Sequence, residues 1–191
     1  MRIPLISAML LAGLAAGCAG QSATKPVEML DERTGVTVGA LKEPIELAPS
    51  AQSAALASHK QSSFAYLGPI EWNRSGNLSY GLWIHIVPGS DRQPGDLHAP
   101  DALALTLDDG PLDLPLAATP RLARAPYPEI ASWGQTAYFD LTVAGLRRMA
   151  ASRKLDLRVR AVDGSLMAFS PTRDSRPVLT QYMQVRGITG D

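Results

Sequence analysis

The stretch "FAYLGPIEWNRSGNLSYGLWIHI", residues 64–86, decides the fold that we expect for this chain. Apolar residues recur at every second position on both sides of "NRSGN" (residues 73–77), whose serine, glycine and asparagine favour a tight turn. A period of two predicts β-strands, so the two halves are expected to pair as a hairpin with one buried face. Pro69 cannot donate a backbone hydrogen bond, which predicts an interruption or a sheet edge near this residue.

Three other pairs of apolar runs follow the same rule. They are residues 27–30 with 36–41, residues 103–107 with 112–116, and residues 155–162 with 165–170. The segments between the partners are "DERTG", a turn at Asp109-Gly110, and Asp163-Gly164, and each of them favours a tight reversal of the chain. Pro111, next to the turn, and Pro115, within the run 112–116, predict that this return strand lies at a sheet edge.

A different period marks the segment "TVAGLRRMAAS", residues 142–152. Val143, Leu146 and Met149 recur at a helical spacing, and Thr142 is suited to the N-cap. We expect one short helix here.

The Pro- and Gly-rich segments 89–100 and 118–134 predict connections between elements. Many short strands with one helix predict an all-β fold, mainly antiparallel. The expected architecture is a single β-sandwich domain over residues 27–191.

The amino terminus has the order of a secretory signal peptide. Arg2 precedes an apolar run over residues 3–14, and small residues follow up to Cys18. The run is shorter than the about 20 residues that a membrane-spanning helix needs. We expect residues 1–17 to be a signal peptide that is removed.

Cys18 is the only cysteine in the sequence. The segment "LAAGC", residues 14–18, resembles the lipobox of bacterial lipoproteins, although Ala15 stands where the family prefers Leu. The resemblance implies lipidation of Cys18 by a diacylglyceryl thioether and an acylated amine, and hence durable membrane anchoring. An ordinary secretory signal that happens to contain a cysteine is the alternative.

The residues after Cys18 bear on where the anchor would lie. Ala19 stands where retention in the inner membrane would favour Asp, so the resemblance implies the periplasmic face of the outer membrane. Residues 18–26 would form a lipidated tether, in which residues 19–26 reach at most about 25 Å when extended.

The charge of the chain gives no sign of a nucleic-acid partner. Loss of Arg2 with the signal peptide leaves 17 basic against 18 acidic side chains. A chain so close to neutrality lacks the basic excess that attracts nucleic acid. We expect no cofactor, and the partners expected are the membrane, through the lipid, and envelope proteins.

The segment "TLDDGP", residues 106–111, resembles the first motif of NodB-type polysaccharide deacetylases. The resemblance would make Asp108 a general base and Asp109 a metal ligand. The family takes two histidines from a later His-x-x-x-His segment, but all three histidines of this chain precede Asp108 and no such segment occurs. We therefore expect a hairpin turn, and neither a metal site nor a catalytic residue. His85 is likewise expected on the less buried face of a strand, without a catalytic role.

Aromatic residues are the remaining candidates for recognition. Trp83, Tyr127 and Trp133 could line a groove for a sugar or a peptide, because flat rings supply contact area at little entropic cost. Trp72 is expected in the core. Trp83 is out of phase with its apolar neighbours, which leaves it either on the second face of a strand buried on both sides or exposed.

Residues 30–38, 64–84 and 137–152 are similar to segments of a family of uncharacterised proteobacterial lipoproteins. The resemblance implies a lipid-anchored β-rich domain and carries no activity.

Two functions remain open. The first is a non-catalytic protein-interaction or envelope-assembly module, as small sandwich lipoproteins are in type VI secretion. The second is a lipoprotein that binds a sugar or peptide. An exposed apolar patch would favour the first, and a cleft of at least about 300 Å³ lined by Trp83 or Trp133 would favour the second.

Overall fold

The computed structural model describes residues 26–50, 63–89, 102–117, 125–128, 130–160 and 166–188. Within these ranges the chain forms ten strands and two helices. The strands are β1 (Pro26–Asp31), β2 (Val36–Leu41), β3 (Ile45–Pro49), β4 (Phe64–Arg74), β5 (Asn77–Val87), β6 (Ala102–Leu107), β7 (Gly110–Pro115), β8 (Gln135–Asp140), β9 (Leu155–Arg160) and β10 (Leu166–Pro171). The helices are α1 (Val143–Ala151) and α2 (Arg176–Val185). The expected signal peptide, Cys18 and the tether up to residue 25 lie outside the described residues.

The strands pair antiparallel throughout the described part of the chain, which confirms the predicted all-β class. They belong to one sheet in which β4 joins two halves. The first half contains β1, β2, β5 and β8, and the second contains β3, β10, β9, β6 and β7. The sheet curls until β7 and β8 meet at one bridge, Leu116 to Phe139. The fold is thus sandwich-like, and both layers are formed by one continuous sheet.

Leucines that alternate along the sequence fill the space inside the curled sheet. Leu105 lies directly opposite Leu157 of β9 on one side and Leu112 of β7 on the other, and all three are buried. The pairing of β6 with β7 is therefore confirmed, and β7 is the last strand of its half, where its prolines cost no ladder bond.

The predicted hairpin of β4 and β5 is also confirmed. The pairs run from Phe64 with Val87 to Arg74 with Asn77. Ser75 and Gly76 have φ angles of 52° and 89°, as the central positions of a type I′ turn require. The expectation of one buried face is wrong for the centre of the hairpin, where residues 67–72 and 81–86 are buried on both faces.

The strand β4 changes its partner on one edge at Gly68 and Pro69. Residues 65–67 pair with β3, whereas residues 70–73 pair with β2. The N–H and C=O positions of a strand residue point to the same side, so the missing donor of Pro69 faces this break. The interruption predicted at Pro69 is confirmed on this edge, while Pro69 pairs with Leu82 on the other.

The hydroxyl of Tyr127 closes the break between β2 and β4. It accepts a hydrogen bond from the Leu41 amide at 3.1 Å and donates one to the Pro69 carbonyl oxygen at 2.9 Å. The phenol ring lies directly on Gly68, where a Cβ atom would collide with it. Gly68, Pro69 and Tyr127 together replace the ladder bonds that a regular strand would form.

The helix α1 confirms the helical period of residues 142–152. The Thr142 side chain accepts a hydrogen bond from the Gly145 amide at 3.0 Å, as expected of an N-cap. The inward residues Leu146 and Met149 are fully buried.

The expectation of one short helix is wrong, because α2 is a second helix. It begins with Pro177 in its first turn and buries Leu179 and Tyr182. Val178, Thr180 and Val185 are β-branched and have a modest helix propensity, which hides the helical period. Packing of two large side chains against the sheet outweighs that propensity.

The other predicted hairpins agree with the structure. β1 pairs with β2 around residues 32–35, and β9 pairs with β10. The turn expected at Asp163-Gly164 lies outside the described residues. The strands β3 and β8 had no counterpart among the predicted elements, since each is short and alternates apolar residues only weakly.

We predict that Tyr127→Phe lowers the free energy of unfolding by about 1–3 kcal/mol, because it leaves the Leu41 amide and the Pro69 carbonyl buried without partners. Urea denaturation followed by circular dichroism measures the change. Tyr138→Phe, on the neighbouring strand β8, is the matched control and should cost less. Equal losses in the two variants would show that the Tyr127 hydroxyl has no special role.

Candidate functional site

Two of the three candidate aromatic residues lie in a buried stack on the outer face of the β4–β5 hairpin. The ring centroids of Trp83 and Tyr127 are 4.7 Å apart, and those of Trp83 and His85 are 5.7 Å apart with nearly parallel planes. Trp83 is only 2% exposed. It therefore lies on the second face of a strand that is buried on both sides, and it serves the core.

His85 is fixed inside the same stack. Its Nδ1 atom lies 2.8 Å from the Thr136 hydroxyl, and the ring packs so closely on Gly134 that a Cβ atom there would collide with it. The expectation that His85 lies on a less buried face is wrong, because the chain around Gly134 covers it.

The phenol of Tyr127 remains neutral. Burial raises its pKa well above the usual value, although the hydrogen bond from the Leu41 amide acts in the opposite direction. A protonated hydroxyl is what the bond to the Pro69 carbonyl requires. Tyr127 is therefore a structural donor and acceptor.

Trp133 differs from the other two candidate aromatic residues. It is 55% exposed, on the segment that leads into β8, and Ile130 of the same segment is also exposed. The adjoining Gly134 is anchored by its contact with His85 and by a hydrogen bond from its amide to the Ala131 carbonyl at 3.0 Å. A large aromatic ring thus projects from a well-packed base.

A cavity beside this segment is too small for a ligand. Most of its lining residues are apolar, among them Ile84, Leu103 and Phe139, and its volume is about 10 Å³. This space holds at most about one water molecule. It falls far below the about 300 Å³ expected of a ligand pocket.

The motif at Asp108 and Asp109 is the turn between β6 and β7, as predicted. Asp108 and Asp109 form the turn and Gly110 (φ 120°) pairs with Leu107, so the turn lies one residue earlier than Asp109-Gly110.

Both carboxylates of this turn bind the end of α1. Asp109 accepts two hydrogen bonds from the Arg148 guanidinium, at 2.7 and 2.9 Å, and Asp108 accepts one from the Arg153 amide at 2.6 Å. The Arg148 hydrogen bonds hold the pKa of the Asp109 carboxyl below its usual range. The side chains that the deacetylase resemblance would make catalytic are engaged in joining a hairpin to a helix.

Two kinds of feature are absent from the described ranges. Among these residues, no group of three or more His, Cys, Asp and Glu side chains is arranged to hold a metal ion. None of the helices formed by them is long and apolar enough to cross a membrane.

A buried charge cluster was not anticipated from the sequence. It joins α2 to the first half of the sheet and consists of Arg186, just after α2, with Glu28 of β1, Glu71 of β4 and Tyr80 of β5. The guanidinium lies over Gly39, where a Cβ atom would collide with it. The only sequence signal is a glutamate placed between Ile70 and Trp72 in a largely apolar strand.

Arg186 is held from several directions. It forms an ion pair with the exposed Glu28 and donates a hydrogen bond to the Val27 carbonyl at 2.8 Å. Its contact with Glu71 is longer, at 3.8 Å, and its guanidinium lies 5.9 Å from the centre of the Tyr182 ring. The cluster therefore secures the end of α2 on the sheet.

Glu71 has the least favourable environment in this cluster. It is 7% exposed, and no partner for its Oε2 atom is found among the described residues. Burial raises the pKa of the Glu71 carboxyl, and the Arg186 charge and the Tyr80 hydrogen bond only partly offset this effect. Ionised Glu71 thus costs stability.

The comparisons with known proteins identify no relative. No protein-family model matches the chain, and no curated protein and no solved structure matches it significantly.

We predict that Glu71→Gln raises the free energy of unfolding at neutral pH by roughly 1 kcal/mol, because a neutral amide loses less hydration on burial than an ionised carboxylate. Arg186 keeps its contacts with Glu28 and Val27, so no unpaired charge results. Folding raises the pKa of the Glu71 carboxyl, so the protonated form favours the folded state. This contribution to the free energy of unfolding is complete below the unfolded pKa of 4.5 and is lost as the pH rises through the folded pKa.

The gain in free energy of unfolding that Glu71→Gln shows over the parent protein should therefore shrink as the pH is lowered towards 4.5. Urea denaturation at several pH values measures it. Glu46→Gln, at an exposed position of β3, is the control and should show little difference at any pH. An advantage that grows on acidification would contradict the role given to burial.

Proposed function

We propose that this protein is a lipoprotein anchored through Cys18 on the periplasmic face of the outer membrane. The support is the signal-peptide order of residues 1–17, the lipobox-like segment that ends at Cys18, and the absence of any other cysteine from the sequence. The domain that follows would be carried by a short tether.

We further propose that the domain acts as a non-catalytic module for protein interaction or envelope assembly. The observation that carries this proposal is the exposed ring of Trp133, on a segment that also exposes Ile130 and in which Gly134 packs against His85. Exposed tryptophans on a rigid base are typical of the few residues that dominate protein interfaces. Envelope proteins are the class of partner that this location would supply.

The alternative function, binding of a sugar or peptide in an aromatic groove, has less support. It needs Trp83, Tyr127 and Trp133 to line one cleft, whereas the first two are buried under one another. The remaining ring could contact a ligand only from an open surface.

A deacetylase of the NodB type has the least support. The carboxylates of Asp108 and Asp109 bind Arg153 and Arg148 at the end of α1. A metal-dependent hydrolase would need them to be available to a metal ion and a water molecule.

We predict that Cys18→Ser moves the protein from the membrane fraction to the soluble fraction, because the acylated thiol is its proposed attachment to the bilayer. Fractionation of cells followed by immunoblotting measures the change. A conservative change in the tether, such as Ser22→Ala, should leave the protein in the membrane fraction. A Cys18→Ser protein that stays with the membrane would refute the lipid anchor.

We predict that a photo-crosslinking amino acid at position 133 captures one abundant envelope protein in intact cells, since Trp133 is the proposed centre of the interface. Mass spectrometry of the adducts identifies the partner. The same amino acid at Arg158, an exposed position on β9, is the matched control and should yield no abundant adduct. Absence of a protein adduct at position 133 would overturn the interaction-module proposal.

A further inference from the structure

Two hairpin turns lie side by side at one end of the sheet. One joins β1 to β2 and the other joins β4 to β5, and the pair Thr37 with Asn73 brings them next to each other. We call residues 30–37 and 73–78 together the hairpin tip. The tip is the end towards which β1 runs from its first residue, Pro26.

Two exposed leucines of the hairpin tip lie on the same face of the sheet. Leu30 pairs with Thr37, Thr37 with Asn73, and Asn73 with Leu78, so these four side chains form one row across four strands. The outer members of the row, Leu30 and Leu78, are 63% and 51% exposed. Two large apolar side chains thus project from the same end of the domain.

The formal charges of the hairpin tip balance, with two arginines and two carboxylates, but its exposed charged side chains are two arginines and one glutamate. Arg33 and Arg74 lie in the two turns and are exposed. Asp31 is buried and accepts hydrogen bonds from the amides of Arg33 and Thr34. Glu32 is the exposed carboxylate of the tip. Exposed leucines beside arginines are typical of surfaces that rest in the headgroup region of a membrane.

The proposed tether is long enough to let the hairpin tip reach the bilayer. Leu30 lies four positions after Pro26 on β1, a distance of about 13 Å at the rise of a strand. The eight residues that follow Cys18 reach up to about 25 Å when extended. A lipid on Cys18 and the tip of the domain can therefore lie on the same surface.

The opposite end of the sheet bears Trp133. Leu78 and Ile86 lie eight residues apart on β5, about 26 Å, and Ile86 pairs with Gln135, two residues after Trp133. An orientation with the hairpin tip on the membrane would direct Trp133 away from it.

We propose that the hairpin tip docks on the surface of an anionic phospholipid bilayer, with Leu30 and Leu78 among the headgroups and Arg33 and Arg74 beside the phosphates. This inference rests on the proposed lipid anchor. The contact is weak by itself, but a short tether gives the tip an effective concentration on the order of millimolar at the surface, so that weak binding suffices to orient the domain. Hydrogen bonds from the two arginines to lipid phosphates would add to the contact of the leucines.

The experiment uses the full lipidated protein in vesicles of phosphatidylethanolamine and phosphatidylglycerol. Ser75→Cys places a thiol in the β4–β5 turn for an environment-sensitive fluorophore, while the Cys18 thiol is blocked by its lipid. The protein is first held in detergent-free buffer, with its lipid tails solubilised by cyclodextrin, and is then transferred to the vesicles. We expect the fluorophore emission to rise roughly two-fold on this transfer, because the tip enters the interface. The same label at Asp113→Cys, on β7 in the other half of the sheet, should show no rise.

A second set of variants tests the leucines themselves. Leu30→Ser together with Leu78→Ser should abolish the rise, whereas Leu166→Ser, at a leucine of β10 that is 48% exposed, should preserve it. Circular dichroism of each variant establishes that the fold is retained.

The outcomes separate this inference from the proposed anchor. An acylated Cys18 in a membrane-bound protein whose tip label stays in water would overturn the docking of the tip and leave the anchor intact. An unmodified Cys18, shown by mass measurement, would refute the anchor itself. A label that is shielded in whole envelope membranes but not in pure lipid vesicles would assign the tip to a protein partner, against the proposal.

Discussion

The partner change along β4 is the constraint on which the rest of the structure depends. One strand of eleven residues belongs to both halves of the sheet. It can do so only because the same edge of the strand pairs first with β3 and then with β2. Pro69 tolerates the break because it has no amide hydrogen to satisfy, and the Tyr127 hydroxyl satisfies the Leu41 amide and the Pro69 carbonyl. Gly68 leaves room for the phenol ring. The curl of the sheet, its enclosed core and the stack of Trp83 and His85 all follow from this joint.

Carboxylates hold both helices to the sheet, but in opposite environments. Asp109 forms an ion pair with Arg148 at the surface, where solvent screens the two charges. The pair therefore positions the helix more than it stabilises the fold. Glu71 faces Arg186 in a buried cluster, where loss of hydration outweighs the attraction and raises the carboxyl pKa. Neither site leaves a carboxylate arranged for catalysis. Similar side chains therefore have a joining role at both places, and burial decides how they respond to pH.

The proposed function assigns different roles to the two ends of the domain. The hairpin tip, with Leu30 and Leu78, would meet the lipid surface, and the end with Trp133 would meet a partner protein. A tethered domain with one preferred face towards the bilayer presents its opposite end without the entropic cost of free tumbling. Both proposals rely on exposed apolar side chains at defined places on a rigid sheet, which a buried aromatic stack could not provide.

Local patterns in the sequence determined the hairpins of this protein, the helix α1 and the turn at Asp108, because alternation, turn residues and an N-cap act over a few neighbouring residues. The same patterns could not locate β3, β8 or α2, whose weak periods are outweighed by contacts with distant parts of the chain. Whether Trp83 was core or surface depended on Tyr127, which lies forty-four residues further along the sequence. The burial of Glu71 likewise depended on Arg186, from the opposite end of the domain. Only the tertiary structure decided these points, since burial and pairing are properties of the folded surface and not of any single segment.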